Sequence, residues 1–165
     1  MTTGALLFLA FLIVQRLSEL VIARRNTRRL MARGAREVAP GHYGLIVALH
    51  SAWIGALAIF GYDQPVHLGW LALFGLLQVF RLWILGSLGE RWTTRIIVLD
   101  ESLVARGPYR FMRHPNYVLV VAEIAVAPLV LGLVWPAIVF SVLNAIVLFI
   151  RIRAEEGALG PLRVS

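Results

Sequence analysis

The sequence contains no cysteine, so neither a disulfide nor a thiolate-bound metal can contribute to this fold, and cysteine usage leaves the redox compartment open. Lysine is absent as well, and all 16 basic residues are arginine, against 9 acidic residues. Only 15% of the residues are charged, whereas 59% are hydrophobic. In a chain of 165 residues this balance is typical of a one-domain integral membrane protein.

The formal net charge of +7 would suit a nucleic-acid partner, but most of the arginines flank apolar segments. Anionic lipid headgroups and the orientation of the chain in a bilayer explain them better, so we expect membrane lipids and no nucleic acid as partners. The first apolar segment has no basic residue before it and no small-x-small cleavage site after it. It is therefore interpreted as a retained anchor and not as a signal peptide.

The apolar segments predict the fold class, because a span needs roughly 20 apolar residues. The last segment is long enough for two short spans, with a break where Gly132 can end one helix and Pro136 can begin the next. We therefore predict an all-α integral membrane protein, a single membrane-embedded domain over residues 1–165 with about five transmembrane helices, the last two forming a helical hairpin. The candidate segments are Gly4–Ala23, Gly41–Phe60, His67–Leu88 and Val118–Ile150.

The arginines predict the orientation. Arginines cluster in the first and third loops, at residues 24–36 and 91–113, whereas the second loop carries only Asp63. Positively charged loops stay in the cytoplasm, so we expect the N-terminus outside and the first loop, the third loop and the tail Arg151–Ser165 inside. Within the third loop, Arg95–Asp100 is apolar and β-branched and is expected to lie extended or along the interface.

The hairpin allows the depth of its residues in the membrane to be compared. Residues equally far along the chain from its tip lie at the same depth, because both helices rise by the same distance per residue. With the tip near Leu133–Val134, the polar tail and the end of the third loop converge at the cytoplasmic mouth. The levels pair His114 with Arg153, Tyr117 with Ile150, and Glu123 with Asn144.

Residues 107–120, GPYRFMRHPNYVLV, carry the side chains that could do chemistry at this mouth. Pro115 holds His114 extended and can begin the next helix, which would leave the first backbone N–H groups, those of residues 116–118, free to bind an anion. Two tyrosines add flat faces, and Glu155 and Glu156 add acceptors for ribose hydroxyls or an amino group. This set suits a zwitterionic, adenosine-containing molecule. The alternative is that these residues are ordinary interfacial anchors.

Ionisable residues within the spans are costly and usually face the interior of a bundle. For Glu123 two interpretations are open, a partner or general base for a substrate hydroxyl, or a helix-to-helix hydrogen bond with Asn144. Arg16 and Glu19 are three residues apart and could pair, and Arg81 is expected to extend to the interface as an anchor. No metal site is expected, because no other metal-ligating residues accompany the histidines at positions 42, 50 and 67.

Three pieces in order carry a resemblance to a known family: Gly107-Pro-Tyr109, then Arg113-His-Pro-Asn-Tyr117, and then, after the hydrophobic hairpin, Arg-Ile-Arg-Ala-Glu-Glu-Gly-Ala-Leu159. Together they resemble the isoprenylcysteine carboxyl methyltransferase family over roughly Arg91 to Leu159. The resemblance implies a bilayer-embedded methyltransferase that uses S-adenosyl-L-methionine, with its cofactor-binding region in residues 89–160. It also implies a bacterial inner (plasma) membrane as the location.

The resemblance assigns roles residue by residue. The substrate-side arginine maps to Arg151, with Arg153 half a helical turn away, and Glu123 is kept as a third catalytic candidate. The chain departs from the family after the paired acids, where Gly160–Ser165 stands in place of a Gly- and Tyr-containing segment, so the resemblance assigns no lid function to the tail. The implied cofactor-binding residues are Leu103, Val104, Tyr109, His114, Pro115, Asn116, Tyr117 and Glu155.

The acceptor implied is a lipophilic small molecule at the inner leaflet, either a prenylcysteine-type carboxylate or the hydroxyl of an alkylated phenol or pyrone. Two other functions stay open. A membrane reductase of the sterol-reductase type would use NADPH and shares the hairpin and a similar loop, whereas a small transporter would use Glu19 or Glu123 for proton coupling. The sequence leaves the oligomeric state open.

Overall fold

Five helices make up most of the chain in a computed structural model, which describes residues 3–38, 40–99 and 106–159. Leu103 and Val104, two of the expected cofactor-binding residues, lie outside the described residues. The described part also contains two short strands and two 3₁₀ turns. The helices are α1 (Thr3–Ala32), α2 (Gly41–Gly61), α3 (Leu68–Leu88), α4 (Pro115–Val130) and α5 (Val134–Leu159); the strands are β1 (Arg36–Glu37) and β2 (Ile97–Val98); the 3₁₀ turns are Gly89–Arg91 and Gly107–Arg110.

Four of the helices are long and apolar enough to cross a membrane, and α4, at 16 residues, is a shorter apolar helix. This confirms the predicted all-α membrane fold. Helix α1 is longer than the predicted first span, since it runs for 30 residues into the arginine cluster and ends at Ala32. Arginine is a good helix former, so the helix continues past the apolar segment and ends shortly before Gly34, whose φ of 88° suits glycine. Helix α5 likewise continues into the predicted polar tail, as far as Leu159.

The predicted break between the last two helices is a glycine-terminated turn. The N–H of Gly132 donates to the carbonyl of Leu129, and that of Leu133 to the carbonyl of Pro128, at 3.0 and 2.9 Å. This is the Schellman pattern, in which a residue with positive φ ends the helix, and Gly132 has a φ of 68°. A side chain at Gly132 would collide with His67, which packs against the turn at the far end of the bundle from His114. The helical hairpin is thus confirmed.

Helix α4 is the most enclosed helix, since it packs against both α3 and α5, while α5 also contacts α2. Its residues Ile124, Ala127 and Val130 are completely buried and belong to the main apolar cluster. The Phe8 and Phe74 rings meet edge to face in the same cluster, with centroids 5.2 Å apart, and join α1 to α3. A short central helix surrounded by longer ones can carry polar side chains that no lipid reaches.

The two arginine-rich loops lie at the same end of the bundle, as predicted. Strands β1 and β2 pair antiparallel, with Arg36 opposite Val98 and Glu37 opposite Ile97. Arg95 donates to the Glu37 carboxylate at 2.9 Å and lies over the Tyr43 ring, 4.5 Å from its centroid. The segment after Arg95 is therefore extended, which confirms one of the two conformations expected for it, and it connects the first loop to the third.

Candidate active site

The turn Gly107–Arg110 places a tyrosine against the end of α3. Gly107 has a φ of 57°, and a side chain there would collide with Ser87. Only glycine meets both conditions. Tyr109 then packs on a second apolar cluster around Trp92. Burial, and secondarily the Glu155 carboxylate, raise the pKa of the Tyr109 phenol, so it remains a protonated hydrogen-bond donor at neutral pH.

The His-Pro-Asn-Tyr turn begins α4 at Pro115, as predicted. The expectation of three free backbone N–H groups was wrong. The carbonyl of His114 accepts from the N–H groups of Tyr117 and Val118, at 3.1 and 3.3 Å, because His114 is the residue that caps the helix. Two of the three expected backbone donors are therefore already bonded within the chain, and a ligand at this turn would contact mainly side chains.

Four side chains meet at this helix start, and we call them the mouth cluster: His114, Tyr117, Arg151 and Glu155. The Tyr117 hydroxyl donates to the Glu155 carboxylate in a short hydrogen bond and accepts from Arg151 Nε at 2.8 Å. The His114 ring stacks on the Tyr117 ring, with centroids 5.2 Å apart and planes 14° from parallel. The predicted convergence of the loop and the end of the hairpin is thus confirmed.

The structure separates the two candidate arginines. Arg151 lies over the Tyr117 ring, 5.6 Å from its centroid, in addition to the hydrogen bond that it donates. Arg153 is exposed and lies over the ring of Phe149, which is itself exposed. Only Arg151 therefore belongs to the mouth cluster.

The mouth cluster retains capacity to bind a ligand. His114 Nδ1 is 3.9 Å from Glu155, and His114 Nε2 is 3.6 Å from Glu156, both beyond hydrogen-bond distance. His114 Nε2 is buried and has no hydrogen-bond partner among the described residues. Carboxylate acceptors, stacked aromatic rings and an unsatisfied imidazole nitrogen match the hydroxyls, amino group and base of an adenosine-containing zwitterion. These residues therefore fit S-adenosyl-L-methionine.

A cavity of about 270 Å³ adjoins the mouth cluster. Asn116, Tyr117 and Arg151 line its part nearest the mouth, and Arg16, His50 and Asn144 line a deeper part. The remaining wall is mostly aliphatic. Tyr117 thus belongs both to the polar cluster and to a cavity between the helices. The aliphatic lining residues are Ile13, Leu17, Leu20, Ile46, Val47, Ile54, Val120, Val147 and Leu148; the others are Glu19, Tyr43, Ser51, Arg81, Trp92, Thr93 and Thr94.

A second polar cluster, which we call the deep network, joins α1, α3 and α4. Its members are Gln15, Arg16, Glu19, Gln78, Arg81 and Glu123.

Glu123 is fully buried at the centre of this network. Its carboxylate accepts from Arg16 at 2.7 Å, from Gln78 at 2.9 Å and from Arg81 Nε at 2.9 Å, with a further short contact to Arg81. The alternative interpretation, a hydrogen bond to Asn144, is wrong, because the Asn144 amide nitrogen has no partner in the described ranges. The carboxylate is enclosed by these donors and is not among the residues that line the cavity.

The expectation for Arg81 was also wrong. Its side chain does not extend to the interface but is buried, and it pairs with Glu19 at 2.8 Å as well as with Glu123. A guanidinium buried this deeply would be strongly destabilising without a partner, and the carboxylates of Glu19 and Glu123 supply that partner. The predicted pairing of Arg16 with Glu19 is confirmed at 3.1 Å.

Two cavity residues were missed as site residues. His50 was considered only as a metal ligand, and Asn144 only as a hydrogen-bond partner of Glu123. Both line the cavity. The signal that could have identified His50 is its position inside an apolar span, where ionisable residues usually face a cavity. Across the described ranges, no group of three or more histidine or acidic side chains is arranged to hold a metal ion.

The fold and the side-chain geometry define a class: an integral membrane protein made of helices, with a polar cluster at one end of the bundle and a mostly apolar cavity beside it. Comparison with known protein families gives a match over more than half of the chain. Residues 70–161 match the model of the isoprenylcysteine carboxyl methyltransferase (ICMT) family, and the chain belongs to this family. Membership indicates a membrane methyltransferase.

The chain is also similar to the uncharacterized protein YpbQ of Bacillus subtilis (strain 168). The two are 39% identical over 159 residues, which cover 93% of this chain and 95% of YpbQ. The similarity therefore extends over all five helices and not only the family region. No solved structure matches the chain.

Proposed function

We propose that the protein transfers a methyl group from S-adenosyl-L-methionine to an oxygen atom of a lipophilic acceptor at the membrane. The observation that carries this proposal is the double role of Tyr117, which joins the mouth cluster and also lines the cavity. A water-soluble cofactor and a lipid-soluble acceptor could therefore approach the same residue from different directions.

In this proposal His114, Tyr109, Tyr117 and Glu155 hold the cofactor, and Arg151 orients the acceptor. Bound there, S-adenosyl-L-methionine would supply an electrophilic methyl group: an acceptor oxygen that is already ionised, a carboxylate, a phenolate or an enolate, would form the new bond to the methyl carbon as the carbon–sulfur bond breaks and the sulfonium becomes a neutral thioether. The protein contributes mainly by holding the two partners in line, which can supply much of the rate enhancement. Glu123 belongs to the framework in this account, because Arg16, Gln78 and Arg81 already surround its carboxylate.

Calorimetric titration with S-adenosylhomocysteine tests the cofactor site. The wild type should bind it, and His114→Ala and Glu155→Ala should each lose at least about ten-fold in affinity, or about 1.4 kcal/mol. Glu90→Ala is the matched control, because Glu90 is an exposed acid at the same end of the bundle that pairs with Arg29. Unchanged affinity in both site variants would overturn the assignment. Binding of NADPH in place of S-adenosylhomocysteine would indicate the reductase.

The acceptor is tested by transfer of a radiolabelled methyl group from S-adenosyl-L-methionine into a lipid extract. The label should enter a lipophilic product as a methyl ether or a methyl ester, and mass spectrometry of that product identifies the acceptor. Substrate flux across liposomes without any labelled product would favour the transporter.

We also propose that the mouth cluster faces the cytoplasm of a bacterial cell, in the plasma membrane. The support is the asymmetry of the loops, since the arginine-rich loops share one end and the loop after α2 has only Asp63 as a charge. Because the sequence contains no cysteine, a maleimide will label only a cysteine that is introduced by substitution, and this tests the orientation. A membrane-impermeant maleimide should label Asp63→Cys in intact cells and Glu90→Cys only after permeabilisation; the reverse pattern would invert the orientation.

A further inference from the structure

The chain that follows the 3₁₀ turn after α3 connects the cavity to the mouth. Trp92, Thr93 and Thr94, which we call the wall segment, all line the cavity. Trp92 is 4% exposed and belongs to the second apolar cluster, against which Tyr109 packs. The wall segment therefore contacts the cavity and, through this cluster, the tyrosine that is proposed to hold the cofactor.

The Trp92 indole has no hydrogen-bond partner among the described residues, although its Nε1 is buried. The ring is held by its apolar neighbours, and the other buried members of the cluster are Ala23, Ile84 and Leu119, one each from α1, α3 and α4. Apolar packing has no preferred direction. The orientation of the ring therefore depends on where the backbone places Trp92.

Asn26 on α1 fixes that backbone. The residue is 1% exposed, and its Nδ2 donates to the carbonyl oxygen of Gly89 at 3.1 Å and to that of Trp92 at 2.9 Å. The turn Gly89–Arg91 begins at the first of these carbonyls, and the second follows its end, so one amide holds both ends of the turn. Because these carbonyls would otherwise lack this donor, the contact fixes the path by which the chain leaves α3.

The far end of the wall segment is anchored separately. Thr93 Oγ1 donates to the carbonyl oxygen of Arg95 at 2.7 Å. Arg95 in turn pairs with Glu37 and lies over the Tyr43 ring. These contacts do not involve Asn26, so loss of the Asn26 bonds should shift the wall segment without releasing the whole loop.

We infer that Asn26 is a positioning residue for the methyl-transfer site, and that it acts by holding Trp92 as the wall that lines the cavity and supports Tyr109. Transfer between two bound partners depends on their alignment, and a misplacement of about 1 Å can lower a rate by roughly 100-fold. A residue that touches neither ligand can therefore be essential to the reaction. The methyl-transfer site rests on the proposed function, whereas the placement of Trp92 by Asn26 does not.

The test uses the full chain in detergent micelles, with 5-fluorotryptophan at all five tryptophan positions and ¹⁹F NMR as the readout. The Trp92 resonance is assigned by its absence from Trp92→Phe. Asn26→Leu keeps the size of the side chain and removes both donated bonds, so it should shift or broaden that resonance. The resonances of Trp70 and Trp135, at the far end of the bundle, should not move. Asn26→Gln keeps the amide donors and should return the Trp92 resonance toward its wild-type position.

The affinity for S-adenosylhomocysteine measures the consequence for the site. Asn26→Leu and Trp92→Leu should each weaken it by about ten-fold, whereas Thr27→Ala, at the next position on α1 and outside the cavity lining, should leave it unchanged. Since Asn26 acts through Trp92, the double variant Asn26→Leu with Trp92→Leu should bind no more weakly than Trp92→Leu alone. Two independent structural effects would multiply instead.

Melting temperatures show which variants are folded. If Asn26→Leu is unfolded, Asn26→Ser, which keeps one hydroxyl donor in a smaller side chain, replaces it in every comparison.

Four results would each overturn the inference: an unmoved Trp92 resonance in Asn26→Leu, unchanged affinity despite a moved resonance, equal losses in Asn26→Leu and Asn26→Gln, or losses that multiply in the double variant. A wild type that does not bind S-adenosylhomocysteine would remove the proposed function instead. The Trp92 resonance of the ligand-free variants would then decide by itself whether Asn26 places the wall segment.

Discussion

Two clusters of this protein combine arginine with glutamate, and they differ in how deeply their carboxylates are buried and paired. In the deep network, Glu123 is fully buried and four nitrogen contacts surround its carboxylate. In the mouth cluster, Glu155 is about one-fifth exposed, and its carboxylate accepts from the Tyr117 hydroxyl. A carboxylate enclosed by donors stabilises helix packing, whereas a partly exposed one at an opening can bind a ligand.

The largest expected effect is on the deep network. Glu123→Leu leaves two guanidinium groups opposed by one carboxylate, and loss of one partner from a buried pair costs about 3–5 kcal/mol. The melting temperature in detergent should fall markedly. In the double variant Arg81→Leu with Glu123→Leu the charges balance again, so part of the stability should return. A melting temperature of Glu123→Leu equal to that of the wild type would show that the network does not hold the helices together.

The mouth cluster should respond more in affinity than in stability. Tyr117→Phe removes the hydroxyl that holds Arg151 and Glu155 in position, and because the cluster is partly exposed, the melting temperature should fall less than in Glu123→Leu. The dissociation constant for S-adenosylhomocysteine should rise by about ten-fold or more, which is about 1.4 kcal/mol. Tyr62→Phe, at the far end of the bundle, is the control and should change neither quantity. A large loss of stability without loss of affinity would reverse the distinction between the clusters.

A smaller effect is expected at the turn that positions Tyr109. Gly107→Ala requires an alanine with a φ near 57°, which costs about 1–2 kcal/mol, and it also pushes a methyl group against Ser87. Both the melting temperature and the affinity for S-adenosylhomocysteine should fall. Gly86→Ala is the comparison, because an added methyl group there meets open space and the residue is helical. Equal behaviour of the two variants would mean that the turn does not constrain the site.

The smallest effect concerns the ion pair of Arg95 and Glu37, which has the same chemistry as the deep network but is partly exposed. Exposed pairs contribute about 0–1 kcal/mol, because water already solvates both charges. Arg95→Ala and Glu37→Ala should each shift the melting temperature slightly, and a double-mutant cycle should give a coupling below about 1 kcal/mol. A coupling as large as that of Arg81 with Glu123 would show that burial does not explain the difference.

Much of the fold followed from local rules. Apolar segment length predicted the helices, Gly132 predicted the break in the hairpin, and Pro115 predicted the start of α4. The convergence of His114 and Tyr117 with Glu155 followed from counting residues back from the turn. The predicted orientation and the roles of the site residues remain predictions, which the labelling and binding experiments test.

Other features depended on partners distant in the chain. Arg81 was expected at the interface, but its partners are 42 and 62 residues away, on α4 and α1. Nothing local to His50 or Asn144 indicates that they line one cavity, since they lie on α2 and α5. The choice between Arg151 and Arg153 likewise depended on which face of α5 meets Tyr117.

The sequence by itself determined that this chain is a bundle of membrane helices with a hairpin and a polar mouth, because hydropathy, proline and glycine act over a few residues. Only the tertiary structure decided which charges neutralise one another and which polar atoms remain for a ligand. The physical reason is that satisfaction of a buried charge or donor depends on distances between helices, and residue types alone do not specify those distances.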